Sequence, residues 1–164
     1  MRILHPKPLT KEAFAPFGEV IETRGSPHFT INGGSTERFH DLAEVDVSES
    51  GGRPLINIFR AQPLERPLTA RLMERHPLAS QAFIPLCRSP FWVLVAPAGD
   101  DLRVSELTLF ETNGNQGVNY RRGIWHHPIL AQVPDQEFLV IDRGGVGENC
   151  DEYHLPEPVR FFIS

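Results

Sequence analysis

The chain has 164 residues, 40% hydrophobic and 23% charged, with a formal net charge of -5 and a pI near 5.8. That length supports one domain, residues 1–164, with a real core, and the composition excludes a disordered chain. An acidic chain with no basic run or stripe excludes a nucleic-acid-binding surface. No stretch approaches the roughly 18 apolar residues of a membrane span. The opening Met1-Arg2-Ile3-Leu4-His5-Pro6 lacks the apolar run of a secretory signal. Cys87 and Cys150 have neither metal nor redox spacing and read as free thiols. A cytoplasmic protein acting on a small molecule is expected.

Fifteen prolines and thirteen glycines are spread along the whole chain. Long helices do not tolerate that punctuation, whereas short strands joined by turns require it. One short helix is predicted after Thr10, a suitable N-cap, with Gly18 as its stop. Glu19 to Glu22 reads as a first strand, Thr23 to Gly34 as a loop, and Thr36 to Val47 as a strand or irregular segment. Leu55 to Ala61 is a clear strand of β-branched and aromatic residues. Residues 64–75 carry Leu64, Leu68, Leu72 and Met73 at helical spacing, yet Pro63, Pro67 and Pro77 bound them. The pattern alone divides between helix and strand; the neighbouring strands, and the resemblance given below, favour strand.

Gln81 to Leu86 and Phe91 to Pro97 follow as strands, the second apolar enough to be buried on both faces. Leu107 to Thr112, Ile129 to Gln132 and Glu137 to Asp142 complete the series, and His154 to Ile163 adds an edge strand. Many short strands at regular spacing define an all-β sandwich or barrel with one or two short helices.

Two histidine-bearing clusters stand about fifty residues apart in this frame. The first is Glu74-Arg75-His76-Pro77-Leu78-Ala79-Ser80-Gln81. The second, Asn119-Tyr120-Arg121-Arg122-Gly123-Ile124-Trp125-His126-His127-Pro128, is poor material for a core and good material for a site. On a strand only one of the adjacent His126 and His127 faces inward. Arg60 lies on an apolar strand, where a buried charge needs a partner or a ligand.

The placement of the clusters resembles that of the two motifs of cupins, small β-barrels that bind a metal or small ligand inside. Gly123-Ile124-Trp125-His126 has the spacing of the second cupin motif, which selects His126 as the inward residue and leaves His127 as support. In the first motif His76 takes the first histidine position and Gln81 falls near the acidic one, while Leu78 stands where a second histidine would be. A metal would then be held by His76, Gln81 and His126, and imidazole donors favour nickel or zinc over calcium.

The combination is more specific than its parts. Glu74-Arg75-His76-Pro77, Gln81-Ala82-Phe83-Ile84-Pro85, Thr112-Asn113-Gly114, Gln116-Gly117-Val118-Asn119-Tyr120, Trp125-His126-His127-Pro128 and Asp142-Arg143-Gly144-Gly145 together resemble the ureidoglycolate lyase family. Upstream, Ile31-Asn32, Glu37-Arg38-Phe39-His40-Asp41 and Arg60-Ala61-Gln62-Pro63 do the same. The resemblance implies a cupin-like fold, a homodimer, nickel as cofactor, and cleavage of (S)-ureidoglycolate to glyoxylate and urea.

Such cleavage needs a base for the hydroxyl proton, an acid for the departing nitrogen, a cation for the carboxylate and amide-like partners for the urea. His76 and His126 are the acid/base or ligand candidates. Arg60 or Arg143 is the candidate carboxylate anchor. Gln81 and Asn119 are the candidates for the urea end. A non-catalytic cupin-type sensor for a small carboxylate is the competing reading, and a cupin enzyme for another hydroxy acid a third.

Overall fold

Why the chain breaks into many short strands follows from its turns. The computed structural model describes residues 1–163. In chain order its elements are β1 (Ile3–Leu4), β2 (Lys7–Pro8), α1 (Lys11–Phe14), β3 (Gly18–Ile21), β4 (His28–Ile31), β5 (Thr36–Phe39), β6 (Arg53–Ala61), β7 (Thr69–Arg75) and β8 (Gln81–Pro85). They continue with β9 (Phe91–Ala96), β10 (Thr108–Glu111), β11 (Gly117–Tyr120), β12 (Trp125–His126), β13 (Leu130–Ala131), β14 (Gln136–Gly144) and β15 (Asp151–Phe161). No helix among the described residues is long and apolar enough to cross a membrane.

The strands form a large sheet in the order β1-β15-β7-β12-β9-β10-β2, with β13 also on β9. A second sheet runs β3-β11-β8-β14-β6, and β4-β5 is a separate hairpin. Together they make the expected all-β, cupin-like barrel.

At the centre lies β9, all six residues of which are buried. Alternation sends Phe91, Val93 and Val95 into the space shared with Phe83, Val118, Phe138 and Val140 of the second sheet. Trp92, Leu94 and Ala96 enter a separate cluster with Met73, Trp125, Val159 and Phe161. The large sheet is therefore apolar on both faces, which explains the unbroken hydrophobic run. The two-sided burial expected of Phe91 to Pro97 is what the structure shows for Phe91 to Ala96, while Pro97 is exposed.

Three expectations are corrected. Thr10 does cap α1, its hydroxyl accepting from the Ala13 N–H at 3.1 Å, but the helix ends at Phe14 and Gly18 opens β3. A side chain at Gly18 is excluded by packing, since a Cβ there would lie 1.7 Å from the Asn119 carbonyl oxygen. The segment expected as a loop contains β4, whose partner β5 is local. The final strand is not an edge: β15 pairs with β7 on one side and, in parallel, with β1 on the other. Ile3-Leu4 is too short a run to announce itself as a strand. In the ambiguous 64–75 segment the strand begins at Thr69, beyond Pro63 and Pro67, and ends at Arg75, before Pro77.

Candidate active site

Glu74 and His76 are two positions apart at the end of β7, so their side chains leave on one face. Across the ladder His126 of β12 stands opposite Glu74 and, on its other side, opposite Val95. Val95 belongs to the inter-sheet core, which places the Glu74, His76 and His126 side chains toward the barrel interior. Their neighbours Arg75 and Trp125 take the other face, where the guanidinium lies 4.8 Å over the indole ring. Arg75 there bonds Asp151 at 2.9 Å and Asp100 at 3.0 Å.

One donor atom from each of Glu74, His76 and His126 lies within 4.8 Å of the others. Both imidazoles are oriented by backbone carbonyls. His76 Nδ1 is 2.6 Å from the Asn149 carbonyl, and His126 Nδ1 is 3.1 Å from that of Ile124. A carbonyl only accepts, so each Nδ1 carries the hydrogen and each Nε2 is left with its lone pair, the tautomer a metal ligand needs. His76 Nε2 is the buried side-chain polar atom that finds no partner among the described residues.

The loop after β14 tightens this arrangement, because Asn149 Oδ1 also accepts from the Leu78 N–H at 2.8 Å. Burial is the main cause that drives His126 down to about 3, with the neighbouring His76 adding to it, so its ring is neutral at ordinary pH. Burial raises Glu74, and the facing Glu152 adds to the shift while His76 opposes it. Two neutral imidazoles and a carboxylate are a donor set that suits a divalent transition ion. The residues present therefore fit a metal, which Glu74, His76 and His126 would hold.

A second polar group faces the same interior from the other sheet. Asp142 Oδ1 accepts from Asn57 Nδ2 at 2.9 Å, and its Oδ2 accepts from Gln81 Nε2 at 3.2 Å. Gln81 stands opposite Tyr120 in the β8–β11 ladder. The Tyr120 ring is stacked on His126 with centroids 4.3 Å apart and an interplanar angle of 6°.

The remaining sequence candidates are elsewhere. Arg60 lies on the outer face of β6, its side chain 65% exposed and 3.1 Å from Glu137. Asn119 sits between the inward Val118 and Tyr120, so it faces outward, donating to Glu19 Oε2 and to the Glu44 carbonyl, both at 3.0 Å. Arg143 donates to the Glu49 carbonyl at 2.9 Å and the Val146 carbonyl at 2.8 Å. Arg122 grips Asp46 with two nitrogens, at 2.8 and 3.2 Å. Asn119, Arg122 and Arg143 thus tie down the segment from Glu44 to Glu49. His127 is outside the triad, its Nδ1 2.8 Å from the Pro128 carbonyl.

Sequence reasoning placed Gln81, whose Nε2 donates to Asp142, in the ligand set and left out Glu74, whose carboxylate lies with the two histidines. The Glu-X-His spacing on a strand carried that signal. Asn57, Asp142 and Tyr120 were missed as site residues, although strict alternation along β6, β14 and β11 puts each on an inner face.

A small β-barrel with two imidazoles and a carboxylate converging inside it is, as a class, a cupin-like protein with a candidate metal site in its interior. The chain matches the model of the ureidoglycolate lyase family over residues 1–162. It is 59% identical over 163 residues to the ureidoglycolate lyase of Azotobacter vinelandii, covering 99% of this chain and 98% of that protein. To the ureidoglycolate lyase of Pseudomonas entomophila it is 59% identical over 164 residues, covering 100% and 98%. A Pseudomonas putida ureidoglycolate lyase is 57% identical with the same coverage. The chain belongs to the ureidoglycolate lyase family.

Proposed function

We propose that this protein cleaves ureidoglycolate to glyoxylate and urea inside the barrel, with Glu74, His76 and His126 holding a divalent metal, nickel in the first instance. The observation that carries this reading is the convergence of one ligand atom from each of two histidines and a carboxylate within 4.8 Å, with His76 Nε2 buried without a protein partner. When bound, the ion supplies Lewis-acid polarisation of substrate oxygens and a cation for the carboxylate.

The protein's own groups do the rest. His76 and His126 act as ligands, their tautomers set by Asn149 and Ile124. Asp142, each oxygen fixed by one amide donor, is the carboxylate placed to carry the hydroxyl proton to the departing nitrogen. The balance closes: the O–H bond breaks, a C=O bond forms, the C–N bond breaks, and the proton ends on urea. Gln81 faces the same space with an amide suited to the urea end. Arg60 and Arg143 already have protein partners, which favours the metal over either arginine as the carboxylate anchor.

A homodimer in a reducing compartment completes the reading. Its support is the β4–β5 hairpin, which pairs with neither large sheet, the exposed Ile56 and Ile58 on β6, and the two free, exposed cysteines.

The test is release of urea and glyoxylate from each enantiomer by purified protein, before chelation, after it, and after nickel is restored. Turnover lost on chelation and regained with nickel is expected. Full activity in the chelated protein would exclude the ligand roles of His76 and His126. Ligand-dependent thermal stabilisation without turnover would replace the enzyme with a sensor.

A further inference from the structure

Tyr120 adjoins both the metal-type triad, through His126, and the Gln81–Asp142 pair, through Gln81. Its ring is parallel to His126 on one side, and its backbone faces Gln81 across the ladder. Phe83 packs edgewise against it at 5.9 Å between ring centroids, and Phe14 packs tilted at 6.2 Å. The residue is only 4% exposed.

A buried tyrosine ordinarily satisfies its hydroxyl. The Tyr120 hydroxyl accepts from and donates to no side chain or backbone group among the described residues, and unlike His76 Nε2 it is not sealed away from a ligand. The phenol O–H is thus a donor whose acceptor does not come from the protein. The rings around it supply packing that does not need the oxygen.

We propose that Tyr120 is a further catalytic residue whose hydroxyl donates a hydrogen bond to the urea oxygen of bound ureidoglycolate. This rests on the ureidoglycolate reading of the site. As the C–N bond breaks, its electron pair moves onto the urea fragment and spreads over nitrogen and oxygen. A fixed donor at that oxygen binds the transition state more tightly than the ground state, which raises kcat more than it lowers KM. No proton leaves Tyr120, and it emerges unchanged. Its place beside Gln81 puts both donors at the same end of the substrate.

The test is Tyr120→Phe, which keeps the ring stack and removes one oxygen. Expected are a kcat lowered about 10- to 100-fold, a KM within about threefold, unchanged nickel content, and a Tm equal to or above that of the wild type, because the lost hydroxyl has no protein partner. A kcat within twofold of the wild type overturns the proposal. So does a Tm that falls with kcat, which would make the hydroxyl structural. Wild-type protein that turns over ureidoglycolate while Tyr120→Phe matches it removes only this inference. Wild-type protein without turnover removes the reading on which it rests.

Discussion

The two faces of the five-stranded sheet are built from alternate residues of the same strands, yet they have different work. On the inner face Tyr120, Gln81, Asn57 and Asp142 gather around the space reached by His76 and His126. On the outer face Asn119 and, at its end, Arg143 bind carbonyls of the Glu44 to Glu49 segment, while Arg60 lies in solvent beside Glu137. Residue type does not separate these sets, since each holds amides and charges. What separates them is parity along the strand, and a shift of one residue would exchange them. The lesson is that a polar residue in a β-barrel is assigned to chemistry by its direction before its identity.

The largest break in that comparison is expected from His126→Gln. Removing a ligand from the inner cluster lowers kcat/KM by about a thousandfold or more, in the range for residues that act as a unit. Metal affinity measured by calorimetry falls with it, and far-UV circular dichroism checks that the fold survives. An active, metal-replete variant would contradict the ligand role.

An intermediate effect is expected from acid on the metal-free protein. His126 is lowered to about 3 in the fold, against an ordinary value of 6.5, and burial lowers His127 as well. Between those values the unfolded chain binds the proton that the folded chain refuses, so stability falls as pH drops from about 6.5 toward 3. Above that window these rings are neutral in both states and contribute no pH dependence. Denaturant midpoints across that range measure it, and the His126→Gln variant should show a shallower slope. An equal slope would place the acid sensitivity elsewhere.

The smallest effect belongs to the outer face. Arg60→Ala removes an exposed pair that is worth about 0–1 kcal/mol in stability, and kcat/KM should stay within about twofold. A large loss of kcat with KM unchanged would bring Arg60 back to the substrate and undo the division of the two faces.

How much was legible follows the same division. The fully apolar β9 announced a strand buried on both sides, and the Gly123 to His126 spacing announced the inward histidine; both are properties of neighbouring residues. Period two puts Glu74 and His76 on one face of their strand, but the pairing of β12 with β7 is what brings His126 to them. Asn57 and Asp142 were not legible, because they meet across two strands separated by 85 positions in the sequence. Arg143 looked like a ligand for the same reason that it makes a good brace: a guanidinium satisfies a substrate carboxylate and a backbone carbonyl with the same donors.

By itself, then, the sequence determined an all-β barrel of short strands, the two histidine-bearing ends and the family resemblance. These rest on local pattern: punctuation by Pro and Gly, alternation, and motif spacing. Only the tertiary structure decided that Glu74 completes the triad, that Tyr120 stacks on His126 and adjoins Gln81, and that Asn119 and Arg143 serve a surface segment instead. Each of those outcomes depends on which strands become neighbours and in what register. That is set by how β9 buries both of its faces at once, a condition satisfied by the whole chain and by no segment of it alone.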